Sequence, residues 1–212
     1  MGEANYIAIE GVIGVGKTTL AGILAEKLGA ERQLEEVEEN PFLEKFYGDM
    51  RGYAFQTQIF FLLSRYRQQM ELTQASLFAQ KIVSDYIFAK DRIFAHINLN
   101  DDELALYQRL ADILEKSIAR PDVVVYLQAG TDMLMERIHR RGRPYEKSMP
   151  RDYIETLNRA YNYFFFHYED TPLIIVHTES VDFVNSPAHV DRLIEIANSN
   201  PKGTVLYGGD GE

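Results

Sequence analysis

Short apolar runs recur along this chain at 5–9, around 33–37, and at 81–84, 123–127 and 173–177, and longer stretches with helical spacing separate them. Val123-Val124-Val125-Tyr126-Leu127 and Leu173-Ile174-Ile175-Val176 are continuous rather than alternating. That is the pattern of central parallel strands covered on both faces. The spacing predicts helices over 18–28, 51–73, 101–118, 130–140, 151–168 and 187–198, with Ser186 before Pro187 as a helix start. Alternation of strand and helix predicts an α/β fold on a parallel sheet. The stretch from Asn198 to Glu212, rich in Gly, Asn and Asp, predicts a single domain over residues 1–198 and a flexible tail over 199–212.

The 51–73 segment has almost no purely polar face, with Phe55, Ile59, Phe60, Phe61, Leu62, Leu63, Tyr66 and Met70. A helix apolar on most sides is covered on most sides, by the sheet and by a second subunit. Gln58 and Arg65 interrupt it seven residues apart, so they share a face two turns apart. A buried arginine is most often just paired, but the two together suggest a polar wall to a pocket.

The sharpest local signal is Gly11-Val12-Ile13-Gly14-Val15-Gly16-Lys17-Thr18, between the first apolar run and a helical stretch through Leu20, Ile23, Leu24 and Leu28. Strand, glycine-rich loop and helix is the context a P-loop needs. Its glycines let several N–H groups converge on phosphate oxygens, with the positive helix end behind them. Lys17 then reaches the outer phosphates and the Thr18 hydroxyl is a Mg²⁺ ligand. The motif leaves the phosphoryl acceptor open.

Charge narrows the partners. Lys plus Arg is 22 and Asp plus Glu is 32, a net charge of −10, which argues against nucleic acid or an anionic membrane. Local donors still bind a triphosphate in an acidic protein. There is no cysteine, hence no disulfide framework or thiolate metal site. Neither a leader pattern nor a bilayer-length apolar run is seen, so the expectation is a soluble cytoplasmic protein.

Other groups carry chemistry by position. Glu35, Glu36, Glu38 and Glu39 end the second apolar run, where strand ends face the ligand crevice. One of them could take a proton from an acceptor hydroxyl while the rest form a solvated acidic loop; the pattern does not choose. Asp85 follows the third strand and is either the Mg²⁺ partner or a turn residue, the topology favouring Mg²⁺. Arg137, Arg140, Arg141 and Arg143 surround Gly142 at a helix end. Cations suit the negative end of a helix, but four in seven residues point to a lid on phosphates. The aromatic run Tyr161, Tyr163, Phe164, Phe165, Phe166 and Tyr168 reads as core or subunit interface, and the histidines show no metal-ligand spacing.

Taken in order, these parts resemble the deoxynucleoside kinase family over nearly the whole chain, to about Ala197. The marks are Glu10-Gly11 through Thr18-Thr19, Asn40-Pro41-Phe42 with Phe46-Tyr47, the Gln58…Arg65 helix, Asp85 with Asp91-Arg92-Ile93-Phe94-Ala95, and Arg137-x-x-x-Arg141-Gly142-Arg143-x-x-Glu146. The resemblance implies ATP and Mg²⁺, with ATP held by Gly11, Gly14, Val15, Gly16, Lys17, Thr18 and Thr19, and its adenine covered by Asp182-Phe183. It implies that Glu35 is the general base on the 5′-hydroxyl and that Gln58 meets the base edge. Arg65 and Asp91 would be the charged pair of the base pocket, and Tyr47 and Glu146 the holders of the 3′-hydroxyl. Thr18 and Asp85 would hold Mg²⁺, and Arg137, Arg141 and Arg143 would act from the lid. It implies a five-stranded parallel sheet, a dimer through helices, and a purine deoxynucleoside or deoxycytidine as acceptor. In much of the family an arginine follows the acid after the third strand. Tyr86 stands there, so either a lid arginine supplies that charge or the phosphoryl charge is handled differently. A nucleoside monophosphate kinase is the nearest alternative, but it should carry an arginine after the second strand, where this chain has glutamates. A regulatory nucleotide-binding protein without turnover is the other.

Overall fold

A computed structural model of the chain describes residues 3–76, 81–146 and 149–208. The sheet is built outward from β1 (Tyr6–Gly11), buried at every residue. β3 (Ile82–Ser84) pairs with it on one side and β4 (Val123–Gln128) on the other. β2 (Glu31–Gln33) lies beyond β3 and β5 (Leu173–His177) beyond β4. The order is β2-β3-β1-β4-β5-β6, all parallel. The continuous apolar runs at β4 and β5 are interior strands, as their pattern predicts.

Helices α1 (Lys17–Leu28), α2 (Leu43–Gly48), α3 (Met50–Ser76), α4 (Lys90–Asn98), α5 (Asp101–Leu114), α6 (Thr131–Arg141), α7 (Arg151–Phe166) and α8 (Pro187–Asn198) connect and cover the strands. α1 packs on β1 and β3 and meets α8, while α3, α4, α5 and α7 form a connected layer. The chain passes from central β1 out to β2 at the edge and returns through β3 before crossing to β4. This reversal opens a crevice at the carboxyl ends of the central strands, where open α/β sheets take ligands.

Two expectations are corrected. The sheet has six strands, not five: within the stretch expected as a tail, Thr204–Tyr207 forms β6 against β5. Its Thr-Val-Leu-Tyr composition suits a strand, and only 209–212 of that stretch lie outside the described residues. β2 stops at Gln33 rather than continuing to 37. Beyond it the ladder is replaced by side chains: Asp85 Oδ1 accepts the Glu35 N–H at 2.8 Å and Gln68 Nε2 donates to the Leu34 carbonyl at 2.9 Å. The helix start at Ser186-Pro187 is as expected: Ser186 is the N-cap of α8, although its side chain makes no capping bond. The aromatic run divides: Tyr161 and Phe165 are core, whereas Tyr163 and Phe166 are exposed.

Helix α3 is mostly polar where it is buried, with Ala54, Leu62 and Leu72 as its buried apolar residues. Thr57, Gln58, Ser64, Arg65, Gln68 and Gln69 are all buried, and Leu63 is 52% exposed. The apolar count of this segment is therefore shared between the core and the outside. The inward face is set by what the crevice requires.

Candidate active site

The loop after β1 is shaped by two close approaches. Gly11 has φ +151, and a Cβ there would meet the Leu127 carbonyl at 2.6 Å. Gly14 has φ +87, and its Cβ would meet Ile138 Cγ1 at 2.8 Å and the Leu134 carbonyl at 3.0 Å. Both positions require glycine on conformation and on space. Gly14 thereby seats the loop directly against α6, the helix that carries the arginines. Gly16 opens α1 at φ +111 without a side-chain cap, so the first N–H groups of α1 are left for an anion.

Lys17 Nζ donates to the carbonyls of Gly11 at 2.7 Å and Val12 at 3.3 Å. Burial, with Lys90 beside it, pulls its ammonium group down to about 8, and Glu10, Glu35 and Asp85 oppose that. Thr18 Oγ1 donates to Asp85 Oδ2 at 2.6 Å, while Asp85 Oδ1 holds the backbone of Glu35. One carboxylate therefore ties the loop threonine to the loop after β2. The Thr18 hydroxyl beside the Asp85 carboxylate is a hard-oxygen donor set that suits Mg²⁺. Thr19, next in α1, is exposed.

The four glutamates after β2 are separated by the structure. Glu36 and Glu39 pair with Arg67 at the surface, and Glu38 lies 3.7 Å from Arg143. Glu35 alone turns inward. Its Oε1 accepts from Arg65 Nε at 2.8 Å and Nη2 at 2.5 Å, and its Oε2 accepts from Lys90 Nζ at 2.6 Å. Burial would raise its pKa, but Lys90 and Arg65 outweigh burial and hold the carboxyl well below the usual range.

Arg65 lies between two carboxylates, pairing with Asp91 as well as Glu35, with its guanidinium over the Phe61 ring at 4.8 Å. Asp91 is fully buried and does not line the cavity that Gln58 and Arg65 line. It stands behind that wall: Gln58 Nε2 donates to its Oδ1 at 2.7 Å and to its main-chain carbonyl at 3.0 Å, and Tyr107 donates to its Oδ2 at 2.7 Å. Both of those Asp91 atoms are acceptors, so the amide orientation of Gln58 is fixed and its Oε1 is the atom left for a ligand.

The cavity measures about 190 Å³ and runs from Lys17 and Thr18 past Glu35 to Gln58 and Arg65, with Tyr47, Arg141, Arg143 and Glu146 on its remaining side. Tyr47 stacks on Tyr145 with centroids 6.2 Å apart. Glu146 is buried and paired with Arg141. Arg137 stands apart from Arg141 and Arg143: it is not in the cavity wall and donates to the Val15 carbonyl at 2.8 Å and to Thr178 Oγ1 at 3.3 Å, bracing the loop from α6. Asp182 accepts from the backbone of Val184 and Asn185 in the turn before α8. Phe183, beside it, is half-buried, and neither residue lines the cavity. Tyr86 is fully buried in the core.

The residue that sequence reasoning missed is Lys90. It begins α4 and is buried, and its Nζ reaches the same carboxylate as Arg65. The one available signal was a Lys-Asp pair closing the apolar stretch Tyr86-Ile87-Phe88-Ala89. Glu10 was likewise passed over as a functional group. It is buried beside the loop, accepting from the N–H groups of Gly11 at 2.9 Å and Ile87 at 3.1 Å, and burial pushes its carboxyl up. No described helix is long and apolar enough to cross a membrane, and no metal-binding group of three or more His, Cys, Asp or Glu exists among the described residues.

Comparison with known proteins is consistent along the chain. The sequence model of the family described as deoxynucleoside kinase matches residues 7–200. The chain is 35% identical over 198 residues to deoxyguanosine kinase of Bacillus subtilis (strain 168), covering 91% of this chain and 96% of that one. It is 36% identical over 167 residues to deoxyadenosine kinase of Dictyostelium discoideum, covering 76% and 67%. The fold is similar to a solved structure of deoxyadenosine kinase from M. mycoides with bound dATP, with TM-score 0.78, 30% identity, and coverage of 91% and 98%.

Proposed function

We infer that this chain, which belongs to the deoxynucleoside kinase family, moves the γ-phosphoryl group of ATP to the 5′-hydroxyl of a deoxynucleoside. The observation that carries the reading is the convergence, in one cavity, of the Lys17–Thr18 loop, the inward Glu35, and the polar wall of Gln58 and Arg65. A phosphate site, a carboxylate for an acceptor hydroxyl and a base-reading wall are the parts this transfer needs.

The backbone from Gly11 through Thr19 and the Lys17 ammonium hold the triphosphate, and Thr18 with Asp85 hold Mg²⁺, which supplies charge neutralisation on the phosphates when bound. Glu35 orients the 5′-hydroxyl and receives its proton. Positioning and charge carry the catalysis, since phosphoryl transfer asks little covalent chemistry of the protein. Gln58 offers only its carbonyl oxygen, and Arg65 offers donors, so the base must bring an N–H group next to an acceptor. All four bases can do so, and relatives named for deoxyguanosine and deoxyadenosine favour a purine. Tyr47 and Glu146 face the sugar, and Arg141 and Arg143 close on the phosphates. Arg137 and the Asp182-Phe183 turn flank the loop on the adenine side of ATP.

A second copy covers the α3–α5 surface. Leu106, Leu110 and Ile113 form one exposed stripe along α5 at i, i+4 and i+7, and Leu63 is exposed on α3, which packs against α5. Light scattering is expected to report a homodimer in solution. The protein works in the cytoplasm.

The test is turnover with ATP·Mg²⁺ against the four deoxynucleosides and their monophosphates, reading ADP release and product mass. Deoxyadenosine or deoxyguanosine is expected to give the monophosphate, and Lys17→Ala to give none while keeping its fold. Phosphorylation of monophosphates alone, or no turnover with any acceptor, overturns the reading.

A further inference from the structure

Glu35 is held from both ends, and its two oxygens are not equivalent. An ionised carboxylate has about four lone-pair sites. Arg65 occupies both sites of Oε1 with Nε–H and Nη2–H, and Lys90 occupies one site of Oε2. The fourth site, on Oε2, is therefore the one left for an incoming hydroxyl. It lies on the same oxygen as Lys90, whose side chain lines the same cavity.

The placement of Lys90 is costly on structural grounds alone. A lysine is rarely buried, and a cation in the first turn of a helix sits at the positive end of the helix dipole. Lys90 does both, at the start of α4, and it stands close enough to the Lys17 ammonium to depress it. Its charge falls on Glu35. Arg65 is already compensated by two carboxylates, and Asp91 is paired through Arg65, Gln58 and Tyr107. The lid arginines do not supply this charge in the structure, since Arg141 is paired with Glu146 and Arg143 lies toward Glu38. Tyr86, next to Asp85, is neutral and buried in the core.

We propose that Lys90 is a positioning residue for phosphoryl transfer: it fixes Glu35 so that Oε2 alone receives the acceptor hydroxyl. The proposal rests on the kinase reading above. In the transfer, the bond from the terminal phosphorus to the bridging oxygen of ATP breaks and the bond from phosphorus to the 5′-oxygen forms. The hydroxyl proton passes to Glu35 Oε2, and ADP leaves with the bond's electron pair.

The test uses the full chain with ATP·Mg²⁺ and whichever purine deoxynucleoside it turns over. Lys90→Met is expected to lower kcat about 10- to 100-fold, the worth of one charge-assisted hydrogen bond, with nucleoside KM changed less than about 3-fold. Lys90→Arg, which restores the charge and a donor, is expected to recover most of the loss. Because Lys90 acts through Glu35, Lys90→Met with Glu35→Gln should lie within about 2-fold of Glu35→Gln alone. Circular dichroism and calorimetric nucleoside binding verify that each variant is folded. If Lys90→Met does not fold, Lys90→Gln, which keeps a donor without the charge, takes its place with the same expectation. Wild-type kcat in Lys90→Met, fully multiplicative losses in the double variant, or no recovery with Lys90→Arg each overturn the proposal while leaving the kinase reading intact. An inactive wild-type chain overturns both.

Discussion

Asp91→Asn isolates the charge that the pocket wall leans on. Asp91 is fully buried and serves Gln58, Tyr107 and Arg65 at once. Asparagine keeps the shape, retains one oxygen toward Gln58 and Arg65, and turns its amide to Tyr107, whose hydroxyl then accepts instead of donating. Hydrogen-bond count is thus conserved and the ion pair is what is lost. Removing one partner of a buried pair outright costs about 3–5 kcal/mol. Arg65 keeps Glu35 at 2.5 Å, so about half of that, about 2 kcal/mol, is the expected loss. For a chain of this length that is a fall in Tm of about 4–8 °C. Asp91→Ala adds an unpaired Tyr107 hydroxyl and a weakened Gln58, which still has the main-chain carbonyl. It should exceed Asp91→Asn by about 1–3 kcal/mol. Urea unfolding at pH 7.5, followed by circular dichroism, measures both. Asp91→Asn within about 0.5 kcal/mol of wild type, or equal losses in the two variants, would refute the placement of Asp91 as a charged brace behind the cavity.

Gly14→Ala combines a left-handed φ with contact against Ile138 and the Leu134 carbonyl; a loss of about 2–4 kcal/mol is expected in urea unfolding, and Ile138→Ala should relieve only part of it. Glu35→Gln is expected to lower kcat by about 10²–10⁴-fold with KM changed little, whereas Glu36→Gln, Glu38→Gln and Glu39→Gln, all in surface pairs, should be nearly silent in the same assay. Because the Glu35 carboxyl is held below its unfolded pKa, its contribution to stability is present above about pH 4.5 and is lost as pH falls. Unfolding free energy should therefore drop less steeply between pH 6 and pH 3 in Glu35→Gln than in wild type, and parallel slopes would contradict the assigned ion pairs.

The class of fold was legible because its signals are local. Continuous apolar runs at β4 and β5, spaced by helical stretches, allow few arrangements other than a parallel sheet with helices on both faces. The phosphate loop was legible for the same reason. Its function is built from successive backbone N–H groups, and the glycines that permit the curl, Gly11, Gly14 and Gly16, stand close together in the chain. Gln58 and Arg65 could be placed on one wall from spacing alone, since helical periodicity fixes their angular relation. One local signal misled. Composition hid β6, because a short edge strand needs only four suitable residues and a neighbour with free backbone groups.

Which glutamate faces the crevice, and what stands next to it, was decided by tertiary structure. Glu35 and Glu36 are chemically identical neighbours in sequence, and only the end of β2, where Asp85 captures the Glu35 N–H, turns one inward and the other to Arg67. Lys90 and Arg65 reach Glu35 from 55 and 30 residues away. No periodicity encodes that meeting, because it depends on how α3 and α4 pack over the sheet. The same packing put Asp91 behind the wall and fixed the Gln58 amide so that one atom is left to read a base. Backbone chemistry and side-chain period travel with the sequence. Electrostatic pairing in a desolvated site falls off within a few ångströms, so it exists only once the fold has brought distant residues to that range.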